Sequence, residues 1–357
     1  MYLEACVADE GAPLSASRSH EGVADPLAQL YAGQDLSAEE AQAVFGRLVA
    51  GTLPEPAIAA MLVALKIKGA TAEELTGAAR ALRSADMPFS RPDYLFADSC
   101  GTGGDGAGTI NLSTAVAFVA AAAGLPVAKH GNRSVTSRCG SADVLEQLGA
   151  RIDVPAAVSR RALDETGVCF LFAPSYHPGL RHAGPVRRML KVRTVMNVLG
   201  PCVNPAEPPV QLLGVADVSL LAPVAQTLLA LGCRSALVVH GGGLDEVALH
   251  APTHAVRVQN GVLTHLEITP EEAGLQLTTL AALRGGGPEE NAQRLKALLM
   301  GHGTRAESDA VALNAGALLM TAGLATSLRE GVDLAAQKIA SGAPFNVLRA
   351  FVEVTRG

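Results

Sequence analysis

The chain has 357 residues, of which 49% are hydrophobic and 17% are charged, and its formal net charge is −6 at pH 7. This apolar content excludes a disordered chain, and a length beyond the ~250–300 residues at which single cores stop growing predicts two domains. The acidic balance opposes a nucleic-acid-binding surface, and the apolar runs are shorter than the ~20 residues that span a bilayer.

The first residues and the spacing of the cysteines are not typical of a secreted protein. Residues 1–25 carry small and polar side chains without a basic start followed by an apolar run, so they are predicted to be a disordered extension and not a secretory signal. None of the six cysteines stands in a C-x-x-C spacing, so neither a zinc site nor a disulfide framework is indicated. We therefore expect a protein of the reducing cytoplasm.

Residues 26–93 are predicted to form a helical domain. Ser37 stands three residues before Glu40, and Thr71 stands three residues before Glu74, which is the capping-box pattern at the start of a helix. Apolar residues then recur at helical spacing. The pattern predicts three to four short helices.

From residue 94 onward, apolar strands alternate with helices. YLFADS, LPVAKH, GVCFLFAP, QLLGVAD and SALVVHGG have the character of strands, and helical patterns separate several of them. Residues 94–357 are therefore predicted to form a larger α/β domain with a mostly parallel central sheet and a C-terminal helical cluster. Asn260 and Gly261 lie between two alternating segments, which predicts one β-hairpin.

The segment CGTGGDGAGTINLST, residues 100–114, contains the spacing G-x-G-x-x-G of a dinucleotide-binding loop. That function needs a helix opening inside the glycine motif and an acidic residue at the end of the second strand. Here the helix is predicted to start only at 111–113, and Lys129 and His130 end the second strand. We expect the glycines instead to bring backbone N–H groups and a helix N-terminus to a pyrophosphate. A plain turn with Ser113 as the helix N-cap is the alternative.

A second anion-binding segment is predicted in KHGNRSVTSRCGSAD, residues 129–143. It combines the cations Lys129, Arg133 and Arg138 with small hydroxyl residues after the next strand. A solvated basic loop is the alternative. Two such segments at one sheet edge indicate a small ligand with phosphates at two ends.

An acidic pair follows a later strand. Asp245 and Glu246 stand at a glycine-rich turn after the apolar segment SALVVHGG. Mg²⁺ is commonly held by one or two carboxylates together with substrate phosphates and water, so this pair predicts a magnesium site. The alternative is a helix first turn, where acidic residues favour the dipole.

Arginines and histidines cluster between the basic loop and the acidic pair. Arg187, Arg188 and Arg193 are predicted to share one helical stretch, and an arginine presents a planar fork that fits a carboxylate. Solvated arginines are the alternative. His177 and His182 are five positions apart, off helical register, and are interpreted as structural.

In their order and spacing these segments resemble the anthranilate phosphoribosyltransferase family of tryptophan biosynthesis. The matching motifs are GTGGD, N-x-S-T, KHGNR, GSAD, the block from VRR to GP-x-x-NP, and HGxGLDE. The likeness runs from about Leu27 to the C-terminal helices. The chain departs from the family at Lys191, where glycine is common, at Met196, where phenylalanine is common, and at Cys202, where leucine is common.

The resemblance implies a helical domain joined to an α/β domain, with the substrates in the cleft between them. It implies a segment near 178–205 that returns to the helical domain, and a homodimer formed through that domain. The implied reaction transfers the 5-phosphoribosyl group from 5-phosphoribosyl 1-diphosphate (PRPP) to the amine of anthranilate and releases pyrophosphate, the second step from chorismate. The implied cofactor is Mg²⁺, with two ions per active site, and no nucleic-acid or membrane partner is expected.

The resemblance also implies the site residues. Anthranilate would contact Gly101, Asn132 and Arg187, and Mg²⁺ would be held by Ser113, Asp245 and Glu246. PRPP would be bound by Gly101, Gly104, Asp105, Thr109, Asn111, Leu112, Ser113, Thr114, Lys129, His130, Gly131, Asn132, Arg133, Ser134, Val135, Thr136, Ser137 and Ser141. No catalytic base is expected, because an aromatic amine is neutral at pH 7 and positioning with electrostatic stabilisation can carry the reaction.

Two other functions fit part of the pattern. A pyrimidine nucleoside phosphorylase-like enzyme of the same architecture would hold free phosphate in the loop 129–141, but the acidic pair and the KHGN motif disfavour it. A nucleic-acid-binding relative without transferase activity should carry a basic surface, which the net charge of −6 opposes.

Overall fold

The structure is a computed structural model that describes residues 25–134 and 138–357. The predicted disordered extension lies outside the described residues except for Asp25, whose side chain caps the first helix. In the described part, no helix combines the length and the apolar character needed to cross a membrane.

Four helices form the N-terminal part: α1 (Pro26–Tyr31), α2 (Ala38–Val49), α3 (Glu55–Lys68) and α4 (Ala72–Ser84). Both predicted capping boxes are present, since Ser37 and Glu40 exchange side-chain to backbone hydrogen bonds, as do Thr71 and Glu74. Each box satisfies two backbone N–H groups that the helix itself leaves unpaired. The helical region therefore begins its helices where the sequence predicted.

Seven strands form one sheet in the order β3-β2-β1-β4-β5-β6-β7. The strands are β1 (Ala97–Gly101), β2 (Val127–Gly131), β3 (Val168–Phe172), β4 (Val210–Gly214), β5 (Ser235–Gly241), β6 (Thr253–Gln259) and β7 (Val262–Ile268). The first five pair in parallel, and β6 and β7 are antiparallel. The hairpin turns at Asn260 and Gly261, which have φ of 52° and 79°, as a type I′ turn requires. The predicted fold class is confirmed.

Helices cover both faces of the sheet. Those in the α/β region are α5 (Leu112–Ala122), α6 (Ser141–Gln147), α7 (Ala156–Thr166), α8 (Ala173–Tyr176), α9 (Gly184–Leu190), α10 (Val195–Cys202) and α11 (Leu221–Ala230), with 3₁₀ turns at Pro178–His182 and Val218–Leu220. A further 3₁₀ turn, Leu280–Leu283, precedes the C-terminal helices α12 (Pro288–Leu299), α13 (Arg305–Ala322), α14 (Leu328–Ala340) and α15 (Ala343–Arg356).

Two hydrophobic cores lie on opposite faces of the sheet. Leu212 and Leu237 belong to the core formed with α5 and the C-terminal helices, whereas their neighbours Leu213 and Val238 belong to the core formed with α1–α4 and α9–α11. Successive side chains of a strand point to opposite faces, which explains this division. The segment from α9 to α10 thus packs with the N-terminal helices although it follows β3 in the chain.

One sequence prediction about this returning segment is wrong. Arg193 does not share a helix with Arg187 and Arg188, because α9 ends at Leu190 and Lys191 adopts a left-handed φ of 52°. A residue in that conformation ends a helix, and glycine is favoured there because it lacks Cβ. Arg193 therefore lies in the connection between α9 and α10.

Candidate active site

A cavity of about 340 Å³ opens at the carboxyl ends of the parallel strands, beneath the returning segment. Ligands of parallel α/β sheets bind at this edge because the loops that leave the strands converge there. Every predicted site residue in the described ranges lines this cavity: Gly101, Gly104, Asp105, Thr109, Asn111, Leu112, Ser113, Thr114, Lys129, His130, Gly131, Asn132, Arg133, Ser134, Ser141, Arg187, Asp245 and Glu246. The remaining three, Val135, Thr136 and Ser137, lie outside the described residues.

The glycines that end β1 and β4 allow the acidic turn to approach the sheet. A Cβ on Gly101 would stand 2.2 Å from a carboxylate oxygen of Asp245, and one on Gly214 would stand 1.6 Å from the Asp245 carbonyl oxygen. The backbone N–H of Gly103 donates to the Asp245 carboxylate at 2.6 Å. The glycine loop therefore positions Asp245 in addition to exposing backbone donors.

Arg193 also contacts the glycine loop. Its guanidinium donates to the carbonyl oxygens of Gly103 and Gly104, the latter at 2.9 Å. Asp105 accepts from the N–H of Ala107 at 3.1 Å, which closes a short turn. The Arg193 bonds occupy carbonyl oxygens, whereas the N–H groups of Gly103 and Ala107 are taken by Asp245 and Asp105, so the remaining N–H groups of the loop are its donors for an anion.

The N-terminus of α5 faces the same cavity. The helix begins at Leu112 after Asn111, which is too late for a dinucleotide-binding loop, and Ser113 lies inside the first turn instead of acting as the N-cap. Asn111 donates to the Cys139 carbonyl oxygen at 3.2 Å, and the buried hydroxyl of Thr114 has no hydrogen-bond partner. The positive end of a helix dipole, with a buried hydroxyl beside it that has no partner among the described residues, suits a phosphate.

The three cations of the predicted basic segment have different surroundings. Lys129 is 3% exposed, and its ammonium donates to the Ser99 carbonyl oxygen at 2.6 Å and to the Ser113 hydroxyl at 3.2 Å. Arg133 instead pairs with Asp143 and Glu146 of α6. Arg138 lines a neighbouring cavity of about 390 Å³ with Arg193 and Arg284. Of these cations, Lys129 is therefore the one inserted deep among the predicted site residues.

Asp245 and Glu246 have carboxyl groups that resist ionisation. Burial, reinforced by the nearby Asp105, raises the pKa of Asp245 to about 7. Burial, reinforced by Asp245, raises the pKa of Glu246 to about 8, against which Lys129 and the Ser113 backbone N–H act. Carboxyl groups that repel one another in this way fit a divalent cation, whose charge favours their ionised forms.

The protein supplies an incomplete set of metal ligands. No group of three or more His, Cys, Asp or Glu side chains is arranged to hold a metal within residues 25–134 and 138–357. Mg²⁺ usually keeps several waters and takes one or two carboxylates plus substrate phosphates, so a carboxylate pair beside a phosphate site fits this ion. Asp245 and Glu246, with the Ser113 hydroxyl, are the residues that would hold it.

The opposite wall of the cavity is less polar and carries a single guanidinium, that of Arg187. Arg187 has neither an ion pair nor a side-chain hydrogen bond among the described residues, and burial lowers its pKa. Apolar side chains from α4 and the returning segment surround this region: Leu82, Leu180, Met196, Pro201 and Val203. An unpaired cation between apolar walls suits a flat molecule with a carboxylate.

Two family models match this chain, one for each of its two regions. The family description "Glycosyl transferase family, a/b domain" matches residues 93–345, and "Glycosyl transferase family, helical bundle domain" matches residues 25–85. The anthranilate phosphoribosyltransferase of Sorangium cellulosum is 62% identical over 92% of this chain and 94% of its own length. The chain belongs to the anthranilate phosphoribosyltransferase family. The enzyme of Pectobacterium carotovorum is 52% identical over 88% of this chain and 89% of its own length.

Solved structures of anthranilate phosphoribosyltransferases share the fold. The enzyme from Thermus thermophilus superposes with a TM-score of 0.89 at 45% identity, covering 94% of this chain and all of that one. The Saccharomyces cerevisiae enzyme in complex with PRPP and Mg superposes with a TM-score of 0.84 at 26% identity, covering 92% and 96%. The predictions of the family and of its glycosyltransferase activity are confirmed.

Residues that the sequence did not single out complete the cavity. The apolar wall was missed because its residues come from α4 and α10, which no local pattern connects. His177 was interpreted as structural on its spacing from His182, but it lines the cavity and contacts His130 across the sheet edge. Only a contact between distant parts of the chain distinguishes this histidine.

Proposed function

We propose that the enzyme transfers the 5-phosphoribosyl group of PRPP to the amine of anthranilate and releases pyrophosphate. The observation that carries this proposal is the unpaired Arg187 in the same cavity as the glycine loop and the acidic pair. A phosphate-binding edge suits PRPP, and a guanidinium between apolar walls suits an aromatic carboxylate. Their common cavity brings the two substrates together, which is the main requirement of a reaction without a catalytic base.

The proposed PRPP site comprises the residues of the glycine loop, the start of α5 and the segment from Lys129 to Ser141. Backbone N–H groups of the glycine loop and the positive end of the α5 dipole bind the pyrophosphate, and the Lys129 ammonium adds a fixed positive charge beside Ser113. Mg²⁺, when bound, stabilises the negative charge that develops on the pyrophosphate as it leaves. We propose two ions, held through Ser113, Asp245 and Glu246.

The proposed anthranilate site lies on the other side of the ribose. Arg187 binds the carboxylate, Asn132 lies in the same cavity at the end of β2, and the backbone at Gly101 completes the contact. This arrangement fixes the amine for attack on C1 of the ribose, where bond breaking builds positive charge. The amine needs no activation because it is neutral at pH 7.

The alternative functions account for less of the site. A pyrimidine nucleoside phosphorylase-like enzyme has no use for an acidic pair beside its phosphate or for a carboxylate-binding arginine. A nucleic-acid-binding relative requires a basic surface, and this chain has a net charge of −6.

When the purified protein is mixed with PRPP, Mg²⁺ and anthranilate, we expect the fluorescence of anthranilate to decrease. The amount of pyrophosphate formed should equal the amount of anthranilate lost. Leaving out any one component should stop the reaction. Folded protein that leaves the fluorescence unchanged would show that the proposed substrates are wrong. Salt-sensitive binding of duplex DNA near physiological ionic strength would support the nucleic-acid-binding alternative instead.

We also propose a homodimer formed through the helical domain, in the cytoplasm, with the helical domain comprising 26–93 and the segment near 178–205. α3 is apolar on several faces: it buries Ile58, Met61, Leu62 and Leu65 and leaves Ile67 82% exposed. Tyr31 of α1 and Met189 of α9, helices that pack against α3, are 51% and 67% exposed. Exposed apolar side chains on three helices that pack together suit an interaction surface.

Ile67→Asp is expected to shift the protein from dimer to monomer in light scattering, because an unpaired carboxylate would be buried in the interface. Val262→Asp is the matched control, since Val262 is 60% exposed on the distant strand β7. Unchanged mass for Ile67→Asp, or a monomeric parent protein, would contradict the proposed interface.

A further inference from the structure

Three ionisable side chains form a continuous hydrogen-bonded chain behind the anthranilate wall of the cavity. His130, at the end of β2, contacts the Gly200 carbonyl oxygen through Nδ1 at 3.1 Å and His177 Nε2 through its own Nε2 at 3.0 Å. His177 Nδ1 contacts a carboxylate oxygen of Asp86. His130 and His177 are 5% and 4% exposed, so water does not substitute for these partners.

The protons in this chain can be counted. A carbonyl oxygen only accepts, so Nδ1 of His130 carries a proton. Burial, with repulsion from His177 and Lys129, lowers the pKa of His130 well below its usual value, so the ring is neutral and its Nε2 is an acceptor. His177 must therefore donate from its Nε2. The contact between His177 Nδ1 and the Asp86 carboxyl group then requires one further proton, which these two groups share.

Every ring nitrogen in the chain is therefore occupied by a protein partner. Neither histidine has a nitrogen left to accept a proton from a substrate, although both line the cavity. Their rings meet edge to face, with centroids 4.9 Å apart and planes at 73°. The chain fixes the rings in place and does not provide a base.

Asp86 anchors this chain to the end of α4. The neighbouring N–H of Met87 donates to the Tyr176 carbonyl oxygen at 2.8 Å, and Arg83 donates to the Cys202 carbonyl oxygen at 2.8 Å. Besides His177, the charged groups that act on Asp86 are Arg83 and Glu207, and burial raises its pKa. The second carboxylate oxygen of Asp86 is buried without a partner, so His177 is its main polar contact.

We propose that Asp86 is a positioning residue of the anthranilate site. Through His177 it holds the ring of His130, and His130 in turn donates to Gly200 of α10, the helix that supplies Met196, Asn197 and Pro201 to the same wall. The assignment of this wall to anthranilate rests on the proposed function. Loss of the Asp86 contact leaves the His177 ring without its orienting partner and loosens the wall. PRPP should be little affected, because both ring nitrogens of His130 are taken by Gly200 and His177, and no hydrogen bond among the described residues joins Asp86 or His177 to the glycine loop or the acidic pair.

Asp86→Ala is expected to raise KM for anthranilate about tenfold and to change KM for PRPP less than about twofold, since a lost buried hydrogen bond of this kind costs roughly one factor of ten. Asp86→Asn should restore KM for anthranilate to within about twofold, because its amide N–H can donate to His177 Nδ1 in the neutral ring. Asp93→Ala is the matched control, since Asp93 is an exposed residue of the same connection.

Equal changes in both KM values, or none in either, would overturn the positioning role. If Asp86→Ala does not fold, Asp86→Ser, whose hydroxyl is too short to reach His177, should give the same split. Histidine ¹⁵N NMR of the unsubstituted protein should show His130 with its proton on Nδ1, and a proton on Nε2 would contradict the chain. Absence of turnover in the unsubstituted enzyme would instead refute the proposed function, and the NMR result would still be decisive for the chain.

Discussion

Arg187→Ala is expected to raise KM for anthranilate by about 100-fold, while KM for PRPP changes by less than about threefold. Removing one partner of a desolvated charge pair costs a few kcal/mol, and about 2.8 kcal/mol corresponds to a factor of 100 in affinity. The effect should be confined to anthranilate because the cavity around Arg187 is lined by apolar side chains of α4 and the returning segment, and Arg187 makes no hydrogen bond to the glycine loop among the described residues. Steady-state kinetics with each substrate varied in turn measures the difference.

Arg188→Ala is the matched control, because Arg188 is the next residue of α9 and is exposed. It should leave both KM values near those of the parent enzyme. Arg187→Lys should fall between the two, since an ammonium retains the charge but not the planar fork. If Arg187→Ala raised both KM values equally, Arg187 would not be the carboxylate ligand.

Glu246→Gln is expected to lower kcat by roughly 10²–10³-fold, the range seen when one group that stabilises transition-state charge is removed. Asp245→Asn should act in the same direction, because Asp245 and Glu246 share the proposed metal site. Glu271→Gln, at an exposed position, is the control and should leave kcat unchanged. Retained kcat at saturating Mg²⁺ for both site variants would exclude the acidic pair from metal binding.

The same pair predicts how Mg²⁺ stabilises the protein at different pH values. The folded pKa values are about 7 and about 8, against ordinary values of 3.8 and 4.5, so the folded state without metal loses stability as pH rises from the ordinary values to the folded ones, and the loss is complete once the carboxyl groups ionise. Mg²⁺ binds the ionised forms, so the rise in melting temperature on adding Mg²⁺ should be larger at pH 8.5 than at pH 6. Glu246→Gln should reduce this difference, and an increase independent of pH would contradict the predicted coupling.

Much of the fold could be predicted because its signals are local. Ser37 with Glu40 begins α2 and Asn260 with Gly261 turns the hairpin, since capping bonds and positive φ angles depend on residues only a few positions apart. The sequence also predicted that α5 starts only after the glycines, near Asn111. This late start distinguishes the glycine loop from a dinucleotide-binding loop. Arg193 shows the limit, because Lys191 takes a left-handed conformation that propensity alone does not predict.

The sequence by itself determined the element types, the position of the glycine loop and the identity of the charged residues that follow each strand. Only the tertiary structure decided which of them meet: Asp86 and His177 are 91 positions apart, and His177 and His130 are 47 apart. Local patterns extend over a few residues, whereas such contacts depend on how helices pack on the two faces of a sheet. For the same reason Arg133 pairs with α6, while Arg187 has no ion pair with any residue that the structure describes. The sequence alone does not distinguish these two arginines.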